Sequence, residues 1–274
     1  MDMEKSASAS RGGMFAANLP DSKLAGIEGL HGKVALVTGG TGAIGSAVCR
    51  YLADDGLRVA VVDLNAALCE ELARTLSGGP HIGVAMNVAE ADAVRTGHAE
   101  IVAKLGEVDV LVNVAGILSN NKLLATTQEE WRQIHAVNLD GPFTLSQSVV
   151  PGMRRKQWGR IVNIISYAWK SGGMTSGTAY SSSKAGLVGL TFTVARETAA
   201  DGITCNGIAP AYVMSKMVTE QLSEEQRQDR LRAIPVRRFC QPEEIAHAVR
   251  FLVSPLASFV TGEIVDLNGG FQFD

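Results

Sequence analysis

Tyr180 and Lys184 stand four residues apart in the segment Ala179-Tyr180-Ser181-Ser182-Ser183-Lys184-Ala185-Gly186. On a helix, positions i and i+4 share one face about a turn apart, so the ammonium of Lys184 can approach the Tyr180 phenol. An isolated tyrosine is a poor acid or base at neutral pH, because moving its pKa from about 10 toward 7 takes about 4 kcal/mol of preference for the phenolate. A cation in a partly dry pocket supplies such a preference. The pair therefore reads as a proton-moving device in which Lys184 lowers the tyrosine pKa. Ser166, at the end of an apolar run upstream, adds a hydroxyl able to steady charge developing on an oxygen.

Far upstream, Thr38-Gly39-Gly40-Thr41-Gly42-Ala43-Ile44-Gly45 joins the first apolar run to the first helical one. Glycines there let the backbone approach a pyrophosphate, whose charge the helix N-terminus meets. The spacing Gly40-x-Gly42-x-x-Gly45 is weak evidence alone. It gains force from its strand-turn-helix setting and from Asp63, 18 positions after Gly45. At the end of a second strand, a carboxylate accepts hydrogen bonds from both ribose hydroxyls and repels the extra phosphate of NADP. The turn offers no lysine or arginine to offset Asp63, and Arg58 lies at the opposite end of that strand. NAD is expected over NADP. A phenol, a hydroxyl donor and a fixed ammonium beside a nicotinamide are what reversible alcohol oxidation requires.

These residues need a scaffold of alternating strands and helices. Apolar, β-branched runs at 34–38, 59–62, 82–88, 108–114, 160–166, 203–209 and 263–267 read as seven strands, several apolar enough to be covered on both faces as in parallel sheets. Segments 44–53, 66–76, 91–105, 131–153 and 185–200 carry helical spacing. The expected fold class is α/β: a single-domain, Rossmann-type, doubly wound seven-stranded parallel sheet flanked by helices, with its ligand at the carboxyl ends of the strands. Residues 1–31, polar and rich in small side chains, read as a flexible N-terminal arm before a domain at 32–274. The arm has no apolar signal core, and no apolar run reaches the roughly 18 residues of a membrane helix. With a net charge of -3 and four scattered cysteines, nucleic acid, membrane and metal are not expected partners, and reduced core cysteines point to the cytoplasm.

The motifs together resemble the short-chain dehydrogenase/reductase family over essentially all of 32–271. They run in order through the glycine turn, Asn113-Val114-Ala115-Gly116, Asn138 in Val137-Asn138-Leu139-Asp140-Gly141, Ser166, Tyr180 with Lys184, Ile208-Ala209-Pro210, and the tail Thr261-Gly262-Glu263 with Asn268-Gly269-Gly270. The resemblance implies that Tyr180 is the general acid or base, that Ser166 bonds the substrate oxygen, that Lys184 also holds the nicotinamide ribose, and that Asn138 holds a water linking Lys184 to solvent. It implies cofactor contacts from Gly39, Thr41, Gly42, Ala43, Ile44, Gly45, Asp63, Leu64, Asn87, Val88, Asn113, Ala115, Gly116, Pro210, Val213 and Ser215, beside Tyr180 and Lys184. The chain departs from the family pattern at Ala43, Asn87, Val114, Ala211 and Ser215. The Asn87 amide oxygen can still accept a bond from adenine.

Trp169, Met174, Tyr212, Met214 and Met217 are candidates for an apolar substrate pocket, with Lys170 and Lys216 as anion contacts. Three readings compete. The first is an NAD-linked dehydrogenase interconverting a small secondary alcohol and its ketone. The second is a 3-oxoacyl thioester reductase, acting on an acyl carrier protein or CoA ester, which the segment from Ile234 to Ile245 also resembles. Carrier-docking reductases tend to be basic near the positions of Gln157 and Asp201, which here are neutral and acidic, although Arg154, Arg155 and Lys156 lie nearby. The third is a non-catalytic nucleotide-sensing or scaffold relative. The resemblance also implies a homotetramer or homodimer paired through helices near 127–153 and 178–200.

Overall fold

A computed structural model describes residues 26–174, 176–214 and 224–273. Seven parallel strands form one sheet in the order β3-β2-β1-β4-β5-β6-β7, with β1 at Val34–Thr38, β2 at Arg58–Asp63, β3 at Ile82–Ala85, β4 at Val110–Asn113, β5 at Gly159–Ile164, β6 at Ile203–Pro210 and β7 at Ile264–Leu267. The chain reverses winding between β1 and β4, which opens the ligand crevice of a doubly wound sheet at their carboxyl ends. Strands β1, β4, β5 and β6 are buried at every position, as the uninterrupted apolar runs require. Two apolar cores lie on opposite faces of the sheet, one under α1 (Ala43–Asp54) and α9 (Pro242–Val253), the other under α3 (Ala91–Leu105) and α5 (Gly141–Lys156).

Five expectations shift. Strand β3 stops at Ala85, so Asn87 and Val88 lie beyond it, and β5 ends at Ile164, leaving Ser166 in the loop that follows. The single helix expected over 131–153 is α4 (Gln128–His135), a π-helical turn at Ala136–Asp140 that contains Asn138, and α5. Helix α7 begins at Thr178 and runs to Thr198, which places Tyr180 and Lys184 in its first two turns. The domain also starts before residue 32: Leu30 is fully buried and Ile27 donates its N–H to Asp55 (3.1 Å). Remaining helices are α2 (Ala66–Thr75), the short α6 (Ala168–Ser171) and α8 (Glu224–Ala233).

All four cysteines are free, with Cys49, Cys69 and Cys205 buried and Cys240 half-buried. Among the described residues, no helix is long and apolar enough to cross a membrane, and no group of three His, Cys, Asp or Glu side chains could hold a metal ion. Asp55, at the C-terminus of α1, accepts from Arg250 of α9 through Nε (2.7 Å) and Nη2 (2.6 Å) in the interior. Removing one partner strands a buried charge, so Asp55→Ala is expected to cost about 3–5 kcal/mol in denaturant unfolding; a loss below about 1 kcal/mol would mean that the pair is solvated like a surface ion pair.

Candidate active site

The glycine turn is built for close approach. Gly39 has φ +61°, and a β-carbon on Gly45 would lie 2.1 Å from the Gly39 carbonyl oxygen. Gly42 N-caps α1 without a side-chain cap, no acid occupies that first turn, and Gly42 and Ala43 are exposed. Orphan amides at a helix N-terminus are a ready anion site. Asp63 accepts from the Thr41 N–H (3.1 Å), the Thr41 hydroxyl (2.5 Å) and the Leu64 N–H (2.8 Å). Its carboxylate thus fastens the turn to β2. Arg58 bonds the Gly32 carbonyl at the far end of that strand (3.0 Å). A bare helix terminus, a turn that excludes side chains and a carboxylate beside it fit a dinucleotide.

Several residues expected at the cofactor also bond or pack within the chain. The Asn87 oxygen accepts from the Ala89 N–H (3.1 Å) and its amide donates to Glu90 (2.8 Å), so its side chain organises the entry to α3. Val88 is buried, packed against Gly141. Asn113 is likewise buried, donating to Asn163 (2.8 Å), which donates to Thr191 of α7 (2.9 Å). That chain ties β4, β5 and α7 together. The Ala115 N–H bonds Thr38 Oγ1 (3.2 Å). Ser215, Lys216 and Met217 lie outside the described residues.

A cavity of about 360 Å³ brings Ser166, Tyr180 and Lys184 together with Ile44, Val114, Gly116, Pro210, Tyr212 and Val213. The Ser166 hydroxyl lies near enough to the Tyr180 phenol to lower its pKa, and its oxygen accepts from the Ala168 N–H (3.2 Å). Lys184, buried, donates to the Ile164 carbonyl at the end of β5 (2.8 Å), with Nζ 5.8 Å from the Tyr180 ring centroid. Asn138 is pinned by Ile117, accepting from its N–H (2.9 Å) and donating to its carbonyl (3.0 Å), and it donates also to Ser183 (3.1 Å). A β-carbon on Gly116 would sit 3.3 Å from Asn138 Oδ1 and 3.5 Å from Lys184 Nζ, so the missing side chain leaves both polar atoms beside the same backbone position.

The electrostatics correct one expectation. Burial lowers the Lys184 pKa to about 8, and burial raises that of Tyr180 above its ordinary value, a rise that the Ser166 hydroxyl only partly opposes. In the protein alone the phenol is therefore held protonated rather than tuned downward, because desolvation outweighs any attraction from the ammonium.

Of the expected substrate residues, Tyr212 lines the cavity. Trp169 packs into the small core of Ile165, Leu187, Val188 and Ala209, Met174 is exposed, and Met214 joins the cavity wall nowhere. Lys170 is ion-paired with Asp266 (2.6 Å). Sequence reasoning missed Ile117, Leu118, Asn120 and Arg230 in the lining. It also missed Lys122, which donates to the carbonyls of Gly173 (2.6 Å) and Ser176 (2.7 Å) and clamps the loop before α7. None of these carries a periodic or motif signal.

The family model described as Enoyl-(Acyl carrier protein) reductase matches residues 40–272. The chain is 40% identical over 244 residues to the 3-oxoacyl-[acyl-carrier-protein] reductase FabG of Vibrio cholerae, covering 88% of this chain and 98% of the relative. It is 38% identical over 245 residues to the protein of the same name from Aquifex aeolicus, with 88% and 98% coverage, and 39% identical over 243 residues to that of Staphylococcus epidermidis, with 87% and 98%. The chain belongs to the short-chain dehydrogenase/reductase family, and is an oxidoreductase of the CH–OH type that uses a nicotinamide cofactor.

Lys184 has its folded pKa below its unfolded one, so between about pH 8 and 10.5 the unfolded chain binds more protons and the cost of burying the charge is relieved as pH rises. Against a Lys184→Met variant, the wild-type chain is expected to gain on the order of 2 kcal/mol in relative unfolding stability from pH 8 to 10. Tyr180 is common to both proteins and cancels. A difference independent of pH would show an ammonium that is not desolvated.

Proposed function

We propose that this chain reduces the ketone of a 3-oxoacyl thioester, using NADH in preference to NADPH. The observation that carries the reading is the convergence of the Ser166 and Tyr180 hydroxyls in one cavity, beside a buried ammonium. Two donors meeting at one point suit a single carbonyl oxygen that must receive a proton. The names of the relatives favour the thioester over the secondary alcohol placed first from the sequence.

A nicotinamide bound along Ile44, Val114 and Gly116 would supply the hydride. Ser166 Oγ donates to the substrate ketone oxygen and holds it near Tyr180. As negative charge grows on that oxygen, the Tyr180 phenol gives up its proton and C=O becomes CH–OH. A phenol kept protonated by burial is in the right state for this direction. Lys184 faces the resulting phenolate, and Asn138 beside Gly116 is the route for the proton that restores it.

The carrier of the acyl group is better read as CoA than as a carrier protein. Arg154 faces Asp201 (2.7 Å), Arg155 faces Glu107 and Lys156 faces Asp109, so each cation near the expected docking position meets a carboxylate of its own chain. NADH is favoured because Asp63 closes the ribose end of the turn and, among the described residues, pairs with no cation. We infer also that copies of the chain pair through α4, α5 and α7, where Trp131, Phe143 and Phe192 are exposed; sedimentation of a Phe143→Glu, Phe192→Glu variant as a smaller species than wild type is the expected result.

With acetoacetyl-CoA, Tyr180→Phe should lower kcat by about 10²–10⁴ through loss of the proton donor, while NADH should bind at least about tenfold more tightly than NADPH, near 1.4 kcal/mol. Oxidation of secondary alcohols without thioester reduction would restore the dehydrogenase reading, and undiminished turnover by Tyr180→Phe would remove the tyrosine from the chemistry.

A further inference from the structure

The cavity has a charge pattern that ketone reduction does not require. Among the described residues, its only charged lining side chains are Lys184 and Arg230, with no aspartate or glutamate, in a chain whose net charge is -3. Lys184 is committed to the Ile164 carbonyl. Arg230, half-buried on α8, has its guanidinium carbon 5.7 Å from the Tyr212 ring centroid. Three other cations have carboxylate partners, Arg232 with Asp229, Arg238 with Glu244 and Lys170 with Asp266, and Arg237 donates to the Arg232 carbonyl. Among the described residues, no carboxylate pairs with Arg230. A guanidinium on a strongly charged helix such as α8 would ordinarily point into water. This one borders a ligand cavity against an aromatic face, where a planar fork of donors is preorganised for a carboxylate or phosphate.

We propose that Arg230 is the anion receptor of this site and binds an oxyanion at the non-reacting end of the acyl substrate. The proposal rests on reading the site as a ketone reductase. Ser166 and Tyr180 hold the ketone oxygen, and Arg230, on an element that follows β6, holds the far end. Two fixed points select the length and the charge of the substrate. The oxyanion has two sources with the same chemistry: the carboxylate of a free 3-oxo acid, or a phosphate of the CoA portion of a thioester.

Three substrates with the same ketone separate these sources: acetoacetate, acetoacetyl-CoA and the uncharged acetoacetyl-N-acetylcysteamine thioester. In wild type, at least one charged substrate should exceed the neutral thioester in kcat/KM by tenfold or more. Arg230→Met should cut that ratio at least tenfold, mainly through KM, and Arg230→Lys should restore part of it. An effect confined to acetoacetate assigns the carboxylate, and one confined to acetoacetyl-CoA assigns the phosphate. Calorimetric binding of 3-hydroxybutyrate and of CoA to the same proteins gives a readout independent of turnover. Affinity lost in Arg230→Met while wild type reduces none of the ketones would uphold the receptor and overturn the reductase reading. Equal ratios in wild type and Arg230→Met, or no binding of either anion to wild type, would overturn the receptor.

Discussion

The site depends on an ammonium buried where few groups can answer it. Lys184 meets the carbonyl of Ile164 at 2.8 Å, and that single bond requires α7 to cross the carboxyl end of β5 at a fixed height and rotation. Several interactions hold it there. The chain Asn113–Asn163–Thr191 joins α7 to the two central strands. The N–H groups of Gly177 and Thr178 bond the carbonyls of Ser119 (2.6 Å) and Asn121 (3.0 Å), so the loop after β4 grips the start of the same helix. Asn138 then locks Ile117 of that loop to Ser183. A misplacement of any of these would leave a buried charge without its partner, a penalty of several kcal/mol.

The same desolvation has a chemical consequence. A dry pocket lifts the phenol of Tyr180 and depresses the ammonium of Lys184 together, so both groups are pushed toward their neutral forms. Negative charge developing on an oxygen bound there would oppose the effect of burial on Lys184, because an anion beside it favours the ammonium.

Much of this was legible in the residues themselves. The uninterrupted apolar run of β1 and the helical spacing of 91–105 are reproduced at their ends, since neither competes with another pattern. The pair at Tyr180 and Lys184 and the glycine turn announce themselves by spacing. The π-turn around Asn138 does not, because Ile134, Leu145 and Val149 keep an apolar face running through it and a widened hydrogen-bond ring leaves no trace in residue type. The core packing of Trp169 and the buried bond of Asn113 to Asn163 are equally silent in the sequence, because a large aromatic or a buried amide has the same identity in a core as in a binding site. Arg230 belongs to a helix with no apolar face, and only the tertiary packing of α8 beside Tyr212 brings it to the cavity.

The desolvated ammonium is the central claim, and its ionisation can be observed directly. Solution NMR of the protein carrying ¹³Cε-labelled lysine, assigned by comparison with Lys184→Arg, would follow that one side chain through pH. A titration centred near 8 is predicted. A midpoint near 10.5, the ordinary value of lysine, would contradict the account, since a solvated ammonium would neither fix α7 nor select for charge on the substrate oxygen.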